Sequence, residues 1–279
     1  MDRTLVTVLF GLAASLCWGS GDFNGGLASR RANASSVVIA AYAVGFFVLI
    51  ALGIIWREPF PSGMDIMWGA LAGVAGAIGL VAFYSALSIG RMGIAAPVSA
   101  ILTATIPAIF SAFTQGLPSL LQLGGFVLAL LAIGFISRPE KAQEKPEGVG
   151  LALLAGCGFG FFFIIISRVS PSATFLPLAV ARLTSVIFLL IMSLFRRQSI
   201  TPKMAVAPLI VLAGVLDAFG NAFFVLAAHS GRLDIAAVVS SLYPAATVLL
   251  AALVLHERVT RVQGVGIVLA LLAVPLISV

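Results

Sequence analysis

The sequence predicts an all-α polytopic membrane protein: ten transmembrane helices arranged as two inverted five-helix repeats. Three observations carry this reading. Of 279 residues, 61% are hydrophobic and 9% are charged, against about 25% charged in a soluble domain. Mean hydropathy is +1.17, and apolar runs near the roughly 20 residues that cross a bilayer recur ten times. The second half also repeats the first. Sixteen basic and ten acidic side chains are too few to cover a globular surface, which excludes an ordinary soluble enzyme or binding module.

The runs are bounded by charge, Pro or Gly. The first, 4–27, follows Asp2 and Arg3. No small-x-small cleavage pattern ends it, so an uncleaved span is expected. Its Gly19-Ser-Gly-Asp22 stretch permits a local helix break. Next come 36–56 and 65–88, the latter with Gly69, Gly73, Gly76 and Gly79 as a close-packing surface. The spans 93–115 (with Pro107) and 119–137 complete the first half. The charged stretch Arg138–Glu147 reads as a linker between a first repeat, 1–137, and a second, 148–279. The second repeat holds 148–168, 174–195, 204–229, 234–255 and 261–278. All ten are expected as helices, because an open strand edge cannot be satisfied in lipid and barrel-type alternation is absent.

The duplication is read at a fixed offset of 141 residues. Leu71-Ala-Gly-Val74 matches Leu212-Ala-Gly-Val215, Gly90-Arg91 matches Gly231-Arg232, and Val127–Ala132 matches Val268–Ala273. About 26 of 67 aligned positions are identical without a gap. Apolar composition inflates such a count, but it does not place matching Gly, Arg, Ser and Gln at one offset. Five spans per half is an odd number, so the second half enters the membrane upside down. That is the organisation of many alternating-access transporters.

Ionisable groups at membrane depth are costly, about 2.5–3.5 kcal/mol on insertion scales, and mark sites. Arg182 and Asp217 lie inside spans, and Asp22 lies deeper than a loop residue should. Arg182 has the fork for a carboxylate. Asp22 and Asp217 are candidates for proton coupling or for pairing a substrate amine. Asn221 is one turn beyond Asp217 on the same face. Trp18, Tyr84, Ser99, Ser240 and Tyr243 complete the candidate substrate-binding set, with Thr103 and Ser241 as further polar handles. Tyr243-Pro244 and Pro107 are candidate kinks beside a cavity. Cys17 and Cys157 lie in apolar runs and imply no disulfide framework or metal spacing.

The stretches Tyr84–Ser137 and Val225–Ser278 resemble the EamA family of the drug/metabolite transporter superfamily. So do Trp18-Gly19 in the first span, Arg182 in the second span of its repeat, and Ser240–Pro244 leading to His256-Glu257-Arg-Val-Thr260, Gln263 and Gly266. The resemblance covers nearly the whole chain and implies ten helices and the movement of small metabolites. There are departures. Gln115-Gly116 stands where the second half has His256-Glu257, Tyr42 lies near the place matching Arg182, and Asp22 is charged where the motif is commonly uncharged.

The expected function is a secondary active transporter for a small organic metabolite, an amino acid or similar, with export as the direction and proton coupling as an option. Two other classes are weighed: a channel or facilitator, and an intramembrane aspartyl protease of the Gly-x-Gly-Asp kind. The protease order is reversed here, since the Gly-x-Gly-Asp aspartate comes first. No enzyme activity, cofactor or metal is expected, and no phosphate loop occurs. Partners are the small-molecule substrate and membrane lipid, not nucleic acid, in a monomer or homodimer. The net charge of +6 is read as topology signalling in a plasma (inner) membrane. Four basic residues fall on the side of the termini and eleven on the other, so the positive-inside rule places both termini outside the cytoplasm.

Overall fold

The computed structural model describes residues 2–88, 92–137, 148–197, 200–202, 204–256 and 258–279; the side chains of residues 84, 87, 88 and 92–97 lie outside that set. The expected linker, together with Arg91 and Glu257, also falls outside it. Every regular element among the described residues is helical. They are α1 (Arg3–Ser29), α2 (Ala34–Ile55), α3 (Gly63–Ser88), α4 (Met92–Gln115), α5 (Leu120–Ile136), α6 (Val149–Ile166), α7 (Phe175–Phe195), α8 (Ala207–Ser230, preceded by a 3₁₀ turn), α9 (Leu233–Ser240), α10 (Tyr243–Val254) and α11 (Arg261–Ile277).

The starts of these helices have local causes. Asp2 and Asn33 accept backbone N–H bonds from Thr4 and Ser35. Ser119 with Gln122 and Thr260 with Gln263 form capping boxes, 141 residues apart. The expected span 234–255 is helical in two pieces, α9 and α10, with the break at Ser241-Leu242. Pro244 offers no N–H to the preceding turn and crowds its carbonyl, so the interruption falls where the sequence places a kink. Pro107 leaves α4 unbroken. The Gly19–Gly21 stretch also stays helical, because α1 runs continuously from Arg3 to Ser29.

Among the described residues, eight segments are long and apolar enough to cross a membrane, counting α9–α10 as one. The other two, α5 and α11, have 17 residues each and so reach about 25 Å. Large apolar side chains such as Phe47, Phe113, Leu120 and Leu271 point outward and are mostly exposed. In water such a belt would drive aggregation; around a membrane helix it is the lipid face.

The helices of the two halves interleave. α1 packs along α8, α3 along α6, α2 along α7 and α5 along α11; α4 lies against α6 and α9, and α1 against α9 and α10. α3 also meets α7, and α2 meets α8. Exchange spans one to five with spans six to ten and this set of pairs returns to itself. One pair shows the reciprocity in atoms. A Cβ on Gly125 would lie 2.6 Å from Ile277 Cγ1, and a Cβ on Gly266 would lie 2.7 Å from Ile136 Cγ1. Each glycine admits the other helix, at positions again 141 apart.

Polar ties close one end of the bundle. The Glu58 carboxylate accepts the Phe175 N–H at 2.8 Å and the Leu176 N–H at 3.3 Å, capping α7 from the α2–α3 turn. Buried Asp65 accepts the Ser170 N–H at 2.7 Å. Arg232 donates to the Gly116 carbonyl at 2.6 Å and to Asp234, while the Leu233 N–H donates to Gln115 Oε1 at 3.1 Å. His229 Nε2 lies 2.9 Å from the Val169 carbonyl.

Candidate functional site

A cavity of about 850 Å³ runs from the other end into the middle of the bundle. Its lining begins at Ser29, Arg30 and Ala34, on the α1–α2 turn, and at Ser137, which ends α5. It stops near Arg182, Asn221 and Tyr243. Arg182 is seven residues, about 10 Å, from the tied end of α7. The chamber is therefore open at one end and closed at the other. Its size lies in the range of small-molecule pockets, about 300–1,000 Å³.

The depth of the cavity is built on six helices, α1, α2, α6, α7, α8 and α10. Arg182 on α7 is 6% exposed, and its Nη2 sits 2.7 Å from Asp217 Oδ2 on α8. Its guanidinium carbon lies 4.2 Å from the centre of the Tyr42 ring on α2, within cation–π range. Asn221, one turn along α8, donates to the Asp217 backbone carbonyl at 2.6 Å and to Asp217 Oδ1 at 3.2 Å. Asp217 thus has its charge met by one cation and its second oxygen by an amide. Arg182 Nε is buried without a hydrogen-bond partner.

Asp22 is different. It is exposed on the α1 face that lines the cavity, and it makes no hydrogen bond or ion pair among the described residues. Trp18 is one turn away on the same face. The indole stacks on Phe163 at 5.4 Å between centroids and meets Tyr243 edge-on at 6.5 Å. Phe163 in turn stacks on Phe224 at 4.1 Å. Two small residues make room for this. A Cβ on Gly220 would lie 2.6 Å from Trp18 Cδ1, and a Cβ on Gly19 would collide with the Tyr243 carbonyl. Thr247 Oγ1 donates to the Gly19 carbonyl at 3.0 Å, fastening α10 to α1.

Six of the nine substrate-binding candidates therefore line one chamber: Trp18, Asp22, Arg182, Asp217, Asn221 and Tyr243. Ser99 and Ser240 are buried in helix packing outside the lining; Ser240 Oγ and Ser241 Oγ have no hydrogen-bond partner there. The Tyr84 side chain lies outside the described residues. Sequence reasoning did not put Tyr42 or Phe163 in the lining, nor Phe224 behind Phe163. Tyr42 had a signal, its near-match to Arg182 at the 141-residue offset: α2 and α7, which that offset would make counterparts, pack on each other. Phe163 and Phe224 are two of 20 phenylalanines and carried none. No group of three or more His, Cys, Asp or Glu placed to hold a metal occurs among the described residues.

Fold and site together define a class: an integral membrane protein whose helices enclose a chamber with charged and polar side chains at its depth. Residues 146–279 match the model of the EamA-like transporter family, part of the drug/metabolite transporter superfamily. The match spans the second half of the chain and indicates a membrane transporter of this type. An uncharacterized protein of Methanocaldococcus jannaschii is 29% identical over 132 residues, covering 47% of this chain and 94% of the relative. That relative is about half as long. A protein of known crystal structure superposes with a TM-score of 0.77 at 19% identity, covering 97% of this chain and 95% of its own. At that identity the likeness speaks for the fold alone.

Proposed function

We propose that the protein is a secondary active transporter that exports a small organic metabolite, an amino acid or similar, by alternating access. The observation that carries this is the chamber closed at one end and open at the other. A channel in its conducting state needs a path to both sides; a carrier needs one side at a time. The exchangeable set of helix pairs supports the same reading, since two equivalent halves can trade conformations to open the opposite end. The open end is the side assigned eleven of the basic residues. By the positive-inside rule it faces the cytoplasm, where an exporter loads.

The protease alternative loses ground at Asp217, whose carboxylate is committed to Arg182 and Asn221 rather than sharing a proton with a second aspartate. Proton coupling runs through Asp22 or Asp217. If Asp22→Asn and Asp217→Asn both keep transport driven by a pH gradient, that coupling is wrong. The transporter reading is tested by metabolite analysis of medium from cells overproducing the protein, beside cells making the Arg182→Ala, Asp217→Ala double variant at equal membrane abundance. A compound enriched only by the unaltered protein supports it. Steady conductance without saturation in planar bilayers overturns it in favour of a channel.

A further inference from the structure

We infer that the chamber is built for an organic monocation: a molecule with one amine or ammonium group on an apolar, preferably aromatic, body and no carboxylate. Its charge sits at Asp22 and its body against Trp18 and Tyr243. This rests on the transporter reading above but replaces its amino acid with an amine that lacks the carboxylate.

The argument is one of unspent charge. Among the described residues, three acidic or basic side chains face the deep part of the chamber: Asp22, Arg182 and Asp217. Arg30 also lines it, but at the mouth, eight residues and about 12 Å further along the chain from Asp22. Arg182 and Asp217 neutralise each other at 2.7 Å, and the face of Tyr42 takes up more of the guanidinium. What is left is the exposed carboxylate of Asp22. A monocation brings the deep chamber to neutrality. A zwitterion leaves one negative charge, and an anion leaves two.

A substrate carboxylate has one cation to seek at this depth, Arg182. To take it, the substrate must displace Asp217 and leave that carboxylate in the bundle without its counter-ion, which is strongly unfavourable away from water. An ammonium group needs no such exchange, because Asp22 is unpartnered and already exposed to the chamber. The neighbour one turn away is also suited to a cation. The indole face is the strongest of the aromatic cation acceptors, and stacking on Phe163 fixes the plane of Trp18. Beyond the two aromatic rings much of the wall is apolar, with Leu80, Phe83, Phe159 and Val248 offering surface for a body, and the Thr103 and Thr247 hydroxyls that line it already donate to the Ser99 and Gly19 carbonyls.

Three probes of one shape separate the possibilities: 2-phenylethylamine (cation), L-phenylalanine (zwitterion) and 2-phenylethanol (neutral). Binding is measured by calorimetry on the purified full chain in detergent at pH 7, and exchange is measured in proteoliposomes. The expected result is phenylethylamine binding at least tenfold tighter than either analogue. Asp22→Asn is expected to lose tenfold or more of that binding without a change in thermal unfolding, and Asp22→Glu to keep most of it. The selectivity series needs no variant, so it stands even if one fails to fold. The inference is overturned if phenylalanine binds as tightly as the amine, or if a folded Asp22→Asn protein binds the amine unchanged. Phenylalanine exchange without amine exchange sinks the cation and leaves the transporter standing. If no probe binds, the inference also falls, and the metabolite comparison of the preceding section decides the transporter reading by itself.

Discussion

At the scale of the residue, the Arg182–Asp217 pair sets the electrostatics of the chamber. Removing one member of a buried pair strands the other. Arg182→Ala is expected to cost about 3 kcal/mol, the low end of the buried-pair range, because the Asp217 side chain keeps 24% exposure. The double variant Arg182→Ala, Asp217→Ala should be closer to the parent than the sum of the singles. A double-mutant cycle on unfolding of the purified protein checks this, and strict additivity would mean the pair is not coupled. Gly220→Val is expected to push the Trp18 ring off Phe163, visible as a shift in tryptophan emission. The residue scale was legible wherever burial makes an amino acid expensive. Arg182 and Asp217 stand out because charge inside a span demands a reason. The aromatic wall does not, because a phenylalanine in a membrane helix needs none.

At the scale of the element, α1 and α7 give the sharpest tests. Gly19 and Gly26 both lie in α1, yet a Cβ at Gly19 meets the α10 backbone while one at Gly26 meets nothing within 4 Å. Gly19→Ala is expected to destabilise by about 1–3 kcal/mol through overpacking, and Gly26→Ala to stabilise slightly through helix propensity. Equal melting temperatures for the two variants would refute the close seam. Glu58 caps α7 from a turn outside the spans, and its burial raises the carboxyl pKa against the pull of the Phe175, Leu176 and Thr174 N–H groups. A raised acid pKa means the folded chain holds the proton more tightly than the unfolded one. The stability from this group is thus present at low pH and falls as pH rises from about 4.3 through the raised value. Comparing parent with Glu58→Gln across pH 4–7 should show that decline in the parent alone. Element positions were legible because hydropathy and caps set them, and Pro244 announced the α9–α10 break. Gly19 and Gly21 invited a break that did not occur. In a crowded bundle the missing side chain of Gly19 serves close approach, and no sequence signal separates the two uses.

At the scale of the molecule, the open chamber and the tied end make a prediction about sidedness. In a Cys17→Ser, Cys157→Ser background, Ser137→Cys should react with an impermeant maleimide in inside-out vesicles and not in intact cells. The reverse pattern would turn the topology over. Arg232→Ala should loosen the closed end, since three of its partners lie on the α4–α5 turn or at the start of α9. The expected readout is faster exchange of a bound probe. The single offset of 141 residues proposes which helices correspond. It did not tell which helices touch, because packing between halves depends on shape in three dimensions. The half-length Methanocaldococcus relative matches this chain over 47% of its residues, while the strongest pairings in the present fold cross between the halves.

That interleaving has a consequence in time. A ribosome adds about 5–20 residues per second, so the first five helices sit in the membrane for roughly 7–28 seconds before residues 138–279 are complete. During that interval α1, α2, α3 and α5 have no α8, α7, α6 or α11 to pack against, and Asp22 has lipid or stray water for company. The nascent first half is a molecule waiting for its complement, and the insertion machinery must shelter it until the second half arrives.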